Sequence, residues 1–473
     1  MAHRSVTRIW HTLGHADAVH GLHYLLMHGV FALWDGGETA LRLPSVLAVA
    51  TASAGVALIG RGLAGPRAGV LAGLVFPLIP TVQRYAQEGR SYALVCALIT
   101  WGTWLLLTAV GRRGRLRWGA YAAFMLTACL LHELAVVTLF AHGATVFRSG
   151  LPHPVIRAWG IAAGCVTVGL LPLAAFSVTQ SEQVDWIGFP DLGQTTRFVV
   201  AALLGLLCAR TLGRTPPRRT PPDRTPADTR DPADSYDPAD TRAPADTRAP
   251  ADTRAPVELR TLALSLLILP TVLLVLLTPL RPLYVDRYVL SYTIGLALLI
   301  GVALDRIQRD TGRSRALRGA VYLTAAGAAL AALFPVGAYL RTPQSRQNDA
   351  DAVARAVREA ARPGDGVLFM PARRRVWTLA RPEAFRGLSD LALERSPVAS
   401  DTLHGTEFTP GRIRARVLAA HRIVAVHDLA GQPLEEDERE VAKRETLRTG
   451  FEECGSRTVT QARITVYARP GSC

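Results

Sequence analysis

Apolar runs of roughly 15–22 residues recur along the chain, each about the length that crosses a bilayer. They fall at Leu41–Gly60, Ala68–Val82, Tyr92–Val110, Val155–Phe176, Thr261–Leu280, Val289–Leu304 and Gly319–Leu340, with a shorter one at Arg197–Leu212. The stretch Trp118–Phe147 reads as a hairpin of two spans broken at His132–Glu133. Backbone groups in lipid have no water to bond, so each run predicts a helix. The total is about ten transmembrane helices, which predicts a polytopic α-helical membrane protein.

The gaps between runs are of two kinds, and they alternate. One kind is arginine-rich: GRRGRLR at Gly111–Arg117, RSGLPHPVIR at Arg148–Arg157, DRIQRDTGRSRALR at Asp305–Arg318. The other mixes acids, amides, aromatics and single bases: RYAQEGRSY at Arg84–Tyr92, His132–Glu133, QSEQVDWIGFPD at Gln180–Asp191, RPLYVDRY at Arg281–Tyr288. Cationic loops stay on the cytoplasmic side. The chemically varied loops are therefore expected to share the outer face of a cell membrane.

Other segments divide the chain further. Residues 213–258 are polar and Pro-rich, with a hexapeptide repeat whose prolines stand at 226, 232, 238, 244, 250 and 256. Such a stretch cannot bury a core, so it predicts a disordered cytoplasmic loop between two parts of the bundle, 41–212 and 259–340. Beyond Arg341 the pattern changes. An amphipathic helix at Asp349–Ala361, buried strands after PGDG, at His421–His427 and at Ala462–Ala468, and a charged helix at Leu434–Thr449 predict a small α/β domain over 341–473. Counting through the basic loops puts it outside. Residues 1–40 form an outer juxtamembrane segment in this scheme, because His20–Trp34 is too short and His-rich for a span. No span precedes them to carry them there, so the expectation is a chain lacking its first transmembrane segment.

Composition refines this little. The chain has 473 residues, 49% of them hydrophobic, and a net charge of +15. Its pI near 10.2 would suggest nucleic acid for a soluble protein, but the cytoplasmic arginines account for much of it, and no nucleic-acid partner is expected. Cys96, Cys129, Cys165 and Cys208 lie in spans as small apolar fillers, and no cysteine pair has metal spacing. Cys454 and Cys473 lie in the polar tail, where an oxidising compartment permits a disulfide.

The series DAVHGLHYLLMH (Asp17–His28), ETALRLPSVLA (Glu38–Ala48), GRGLAGPRAGVLAGLVFPLIP, RYAQEGRSYAL (Arg84–Leu94) and later YVDRYVL (Tyr284–Leu290) resembles the bacterial membrane glycosyltransferases of the GT-C superfamily, of the mannosyltransferase-like and protein O-mannosyltransferase-like type. The resemblance covers roughly Asp17 to Leu340. It implies transfer of a sugar, mannose by expectation, from a polyprenyl-phosphate donor to a cell-envelope glycan, lipid or protein acceptor at the extracytoplasmic face. The family's catalytic acid usually stands as an Asp-Glu pair after the first span, a pair this chain does not show. Some relatives use a divalent cation. Asp17, His132 and Glu133 would be its ligands here, but residue 136 is Val and no HExxH spacing supports a metal, so none is assigned.

Inverting sugar transfer needs a carboxylate to take the acceptor proton and cations on the departing phosphate. Asp17 is the only acid before Asp35, and His20 lies about one helical turn on; they are the catalytic candidates, set against a plain helix cap at Asp17. Arg84, Glu88, Arg90 and Tyr92 at the end of one apolar run, His132 and Glu133 inside another, and Arg287 and Tyr288 at the start of a third are the candidates for the donor phosphate and sugar. The bland alternatives are an Arg84–Glu88 anchoring pair, an Asp286–Arg287 surface pair and an interfacial aromatic belt. Gln183, Asp185 and Trp186 are a weaker acceptor or sugar loop. Competing functions are a transporter or flippase of lipid-linked intermediates, which should show internal repeats and mid-membrane charges, and a membrane protein inactive for want of its N-terminal part.

Overall fold

The computed structural model describes the chain except residues 36, 112–113, 181–187, 213–256, 311–326, 328–330, 332, 343–344, 346–348 and 433. The hexapeptide repeat and Gln183, Asp185 and Trp186 lie outside the described residues, as does most of the expected Gly319–Leu340 span, of which 333–340 are helical.

Helices dominate up to residue 310. Among the described residues five are long and apolar enough to cross a membrane: Gly37–Ala64, Tyr92–Gly111, His153–Val178, Leu192–Thr211 and Leu259–Leu277. The longest has 28 residues, about 42 Å at 1.5 Å per residue. Arg115–Leu131 (17 residues) and Tyr292–Asp310 (19 residues) pack among them without meeting the same measure of length and apolarity. The expected Ala68–Val82 span is broken. Pro66–Val75 is helical, Phe76–Leu78 a 3-10 turn, and a new helix begins at Pro80. Pro77 and Pro80 have no N–H to continue the ladder, which is why the run divides. The second half of the expected hairpin is likewise short, an 11-residue helix Thr138–Arg148 after the 3-10 turn Glu133–Val137.

Small residues let the helices touch. A Cβ on Gly69 would stand 2.4 Å from the carbonyl oxygen of Ala57, and one on Gly295 would stand 2.2 Å from that of Ala263. Backbones this close gain dispersion contact where lipid offers no hydrophobic drive for association. The apolar core runs through these contacts, from Ala52, Val56 and Ala72 to Leu262, Ala297 and Leu298.

The helix ends sort by chemistry. Contacts Ser45–Glu88, Tyr85–Asp286, Arg197–Asp286, Glu133–Ser177 and Ala18–Gln180 tie one end of the bundle together. At the other end Arg306 donates to the carbonyl of Thr211 at 3.0 Å. The two helices that follow the N-terminus, Val6–Leu13 and Gly21–Leu33, lie at the first end.

Residues 350–468 form a sheet flanked by helices. Strands β1 (Gly366–Met370), β2 (Ser389–Asp390), β3 (Leu393–Arg395), β4 (Thr406–Glu407), β5 (Arg422–His427), β6 (Glu452–Val459) and β7 (Ala462–Ala468) make a five-stranded sheet ordered β2-β1-β5-β7-β6 and a separate β3-β4 pair. β2, β1 and β5 are parallel, and β7 and β6 antiparallel. All five residues of β1 are buried, as a strand covered on both faces must be. Helix Ala350–Ala360 packs one face, and helices Pro410–Ala419 and Glu438–Gly450 the other. The anticipated strands and helices are present here; β2, β6, the β3-β4 pair and the Pro410–Ala419 helix are additions that polar composition hid. A disulfide joins Cys454 to Cys473.

Beneath this sheet lies a buried ionic group. Arg375, 1% exposed, bonds Asp390 and Glu407, and Lys443, 0% exposed, bonds Glu407 and Glu440. The sheet region touches the N-terminal part of the chain: Arg381 bridges Asp351 and Glu38, and Arg4 donates to the carbonyls of Pro397 and Thr402.

Candidate active site

The turn after Ala86 is fixed from below. Ser45 Oγ donates to the carbonyl of Glu88 at 2.6 Å and lies 3.3 Å from that of Arg90. A Cβ on Gly89 would meet Leu41 Cγ at 2.3 Å, so only glycine lets the turn lie this close to the Gly37–Ala64 helix. The Gly89 carbonyl bonds His23 Nε2 at 3.1 Å, tying in the N-terminal segment. Glu88 pairs with Arg84 one turn back at 3.8 Å, a long, part-exposed contact worth little to stability. Burial raises the Glu88 carboxyl, against the opposing pull of Arg84, Arg287 and Arg90.

Tyr92 opens the next helix and is the hub. Its ring lies 5.7 Å from that of His132, 6.1 Å from that of Tyr288 and 5.6 Å from that of Tyr85. The Arg287 guanidinium sits 5.7 Å from the Tyr92 ring and 5.3 Å from the Tyr288 ring, in cation–π range. His132, buried where the Arg115–Leu131 helix ends, packs on Tyr288 at 4.5 Å and faces His20 at 6.0 Å. Burial, then the charges of His20 and Arg287, hold the His132 imidazole down to about 3. His20 is held down to about 4, chiefly by burial, with Asp17 pulling the other way. Arg90 is exposed, yet its charge reaches His20, Tyr24, Glu88 and Tyr92.

Asp17 has φ 63° and ψ 30°, left-handed space that aspartate enters more readily than most residues. It precedes the 3-10 turn Ala18–His20 but makes no side-chain cap there. Its carboxylate instead accepts the Tyr24 hydroxyl. Tyr24 is about two helical turns beyond Asp17, and the charge of Asp17 also acts on His20, one turn on. His20 faces Tyr24 and His132.

Of the candidates, Asp17, His20, Arg90, Tyr92, His132, Arg287 and Tyr288 thus form one neighbourhood, with Arg84 and Glu88 at its rim. Glu133 bonds Ser177 at 2.7 Å instead, and burial raises its carboxyl. The Asp286–Arg287 surface pair is replaced: Asp286 accepts from Tyr85 at 2.9 Å and pairs with Arg197 at 3.3 Å. A cavity of ≈ 200 Å³ lies there, walled by Arg84, Arg197, Arg287, Asp286, Gln194 and Tyr284 among others. Nothing in the linear sequence singled out Arg197, which approaches only through helix packing.

Asp17, His132 and Glu133 are not gathered as metal ligands. Tyr24 holds Asp17 and Ser177 holds Glu133, and among the described residues no three His, Cys, Asp or Glu side chains group as ligands. No step is routed through a metal.

Residues 22–176 match the profile of the family described as dolichyl-phosphate-mannose-protein mannosyltransferase. The chain also superposes on the crystal structure of apo ArnT from Cupriavidus metallidurans, with TM-score 0.51 and 12% identity, over 94% of this chain and 87% of that one. This is the fold of the GT-C membrane glycosyltransferases. ArnT from the same organism bound to undecaprenyl phosphate gives TM-score 0.49 at 12% identity, with the same coverage. No curated protein sequence matches. The segment that matches the family profile contains Tyr24, the Arg84–Tyr92 turn and His132; Asp17 and His20 precede it, and Arg287 follows it.

Proposed function

We propose that the protein transfers a sugar from a polyprenyl-phosphate donor to a hydroxyl-bearing acceptor at the extracytoplasmic face of a cell membrane. The observation that carries this is the gathering of cations, a carboxylate and aromatic rings in one neighbourhood. Cationic Arg90 and Arg287 flank Tyr92, and the carboxylate of Asp17 stands beyond His20 and Tyr24. Arginine forks suit a phosphate, whose charge grows as the sugar leaves. Asp17 takes the proton of the acceptor hydroxyl while its oxygen bonds the anomeric carbon and the carbon–phosphate-oxygen bond breaks. Tyr92, Tyr288 and His132 give the sugar a surface to lie on. Mannose is the sugar named in the matched family's description. The acceptor is a cell-envelope glycan, lipid or protein.

Outer-face placement is supported by the concentration of varied polar groups at one end of the bundle, with Arg306 at the other, and by the arginine-rich gaps of the sequence. The Cys454–Cys473 disulfide suits an oxidising compartment. On this reading residues 341–473 are an extracytoplasmic α/β domain, 1–40 a juxtamembrane segment, 213–258 a cytoplasmic loop, and 41–212 with 259–340 a bundle of about ten passes.

The test is release of polyprenyl phosphate from radiolabelled polyprenyl-phosphate mannose by the purified protein, reconstituted in membranes that carry envelope acceptors. Label should move to an acceptor. No release above protein-free membranes overturns the reading.

A further inference from the structure

The helix Gly37–Ala64 carries its charges where a bilayer would end. Between Arg42 and Arg61 no residue is charged. At 1.5 Å per residue the two arginines stand about 28 Å apart along the axis, close to the roughly 30 Å of a hydrocarbon core. One side of the stretch between them is exposed, with Leu43, Val46, Leu47 and Leu58 on it. Val46 lies one turn from Arg42, and Arg42 one turn from Glu38, so the three share a face. The pair Arg42–Glu38, 2.6 Å long, therefore heads the lipid-facing stripe at the level of the headgroups.

Arg381 joins that pair from the sheet region. Its guanidinium bonds Glu38 at 2.9 Å and Asp351, in helix Ala350–Ala360, at 2.6 Å. The sheet region thus meets this helix on the side that faces lipid. Just before Arg381 runs the short helix Val376–Ala380. Trp377 turns inward, into the core that helix Ala350–Ala360 makes with the sheet. Val376 and Leu379, three residues apart and so on one face, turn outward, 45% and 52% exposed. Ala380 and Pro382 are exposed as well, and exposed Arg373 and Arg386 precede and follow them in the chain. A lone exposed leucine is ordinary. This face is set apart by its place, two residues from a guanidinium held at headgroup level, and by its make-up, apolar with cations at its ends. That is the composition of a segment lying in a membrane interface.

We propose that helix Val376–Ala380 inserts Val376 and Leu379 into the boundary between headgroups and acyl chains, holding the sheet region on the membrane beside helix Gly37–Ala64. The partner is the phospholipid surface itself. Acyl carbons receive the two apolar side chains, lipid phosphates face Arg386, and the Arg381–Glu38 bridge sets the depth. The inference goes beyond sugar transfer and does not depend on it; it needs only that the bundle spans a membrane.

The test uses the full-length protein in vesicles of phosphatidylcholine and phosphatidylglycerol, with Cys165→Ser and Cys208→Ser removing the thiols that are not buried. Val376→Cys and Leu379→Cys each carry a nitroxide. Leu47→Cys, on the lipid-facing stripe, is the lipid reference. Leu418→Cys is the water reference, on helix Pro410–Ala419 across the sheet from helix Ala350–Ala360. All four positions are exposed, so the label displaces no core side chain. Relaxation of the nitroxide by oxygen, which concentrates in lipid, is compared with relaxation by a water-soluble nickel chelate. The oxygen-to-nickel ratio at residues 376 and 379 should exceed that at 418 by about threefold or more and approach that at 47. Adding Arg381→Ala should bring the ratio at 379 down toward that at 418. Ratios at 376 and 379 equal to that at 418, or a ratio at 379 indifferent to Arg381→Ala, overturn the proposal. Either result leaves the sugar-transfer reading untouched, because no donor or acceptor enters the measurement.

Discussion

The hydroxyl of Tyr24 bonds the carboxylate of Asp17, and that bond replaces the helix cap Asp17 would otherwise provide. A carboxylate that caps a helix is spent on backbone N–H groups. A carboxylate that accepts a phenol instead, in left-handed backbone, is oriented by a side chain rather than by the helix end.

Asp17→Asn should therefore abolish most transfer, with a loss on the order of 10²–10⁴ in turnover, the usual contribution of a positioned base. Tyr24→Phe removes only orientation and should cost less, on the order of tenfold, below the range of a positioned base. Initial rates at saturating donor measure both. A Tyr24→Phe loss as large as that of Asp17→Asn would argue that the phenol itself carries the proton.

The guanidinium of Arg287 lies against both Tyr92 and Tyr288, and the charge of Arg90 also reaches Tyr92. Arg287→Ala and Arg90→Ala should each weaken binding of polyprenyl phosphate roughly ten- to a hundredfold, the worth of a charge-assisted bond of about 1.5–3 kcal/mol. Lysine at residue 287 should restore only part, because an ammonium lacks the planar fork. Equilibrium binding in detergent is the readout, and affinity unchanged in both alanine variants would remove the arginines from the phosphate site.

His132 is held down to about 3 from 6.5, so the folded state favours the neutral imidazole. As pH falls below 6.5 the unfolded chain takes a proton that the folded chain refuses, and stability drains away until pH passes the folded value of about 3. His20, held down to about 4, acts in the same direction. The melting temperature should fall from pH 7 to pH 4, and less steeply in His132→Gln. Parallel slopes for the two proteins would rule His132 out as a source of the decline.

Lys443 is enclosed by Glu407, Glu440 and the Phe369 carbonyl. Lys443→Met leaves two carboxylates buried with less compensation and should destabilise the sheet region by about 3–5 kcal/mol. Loss of protease resistance in residues 341–473 at a lower temperature reports it. Unchanged resistance would mean that the carboxylates simply protonate or find Arg375.

Single cysteines at residues 88 and 115 should label from opposite sides of the membrane. Same-side labelling would sink the outer-face assignment.

Periodicity and composition alone determined a great deal. Runs of apolar residues dictate helices because lipid satisfies no backbone group, and the arginine gaps order the helix ends. The strands at Gly366–Met370, Arg422–His427 and Ala462–Ala468 were legible because burial demands continuous apolar residues. Span length was not. Pro77 and Pro80 divide one apolar run, and no hydropathy sum registers a missing N–H. The candidate loops were legible too, since ionisable residues beside apolar spans are rare, but their partnerships were not. Which carboxylate meets which donor depends on the rotation and crossing of separate helices. That packing gave Asp17 to Tyr24, Glu133 to Ser177 and Asp286 to Tyr85 and Arg197. The same is true of residues 396–405, which no linear pattern connects to the N-terminal segment. Arg4, buried between two segments nearly four hundred residues apart, joins them, a contact whose energy exists only after the chain has folded.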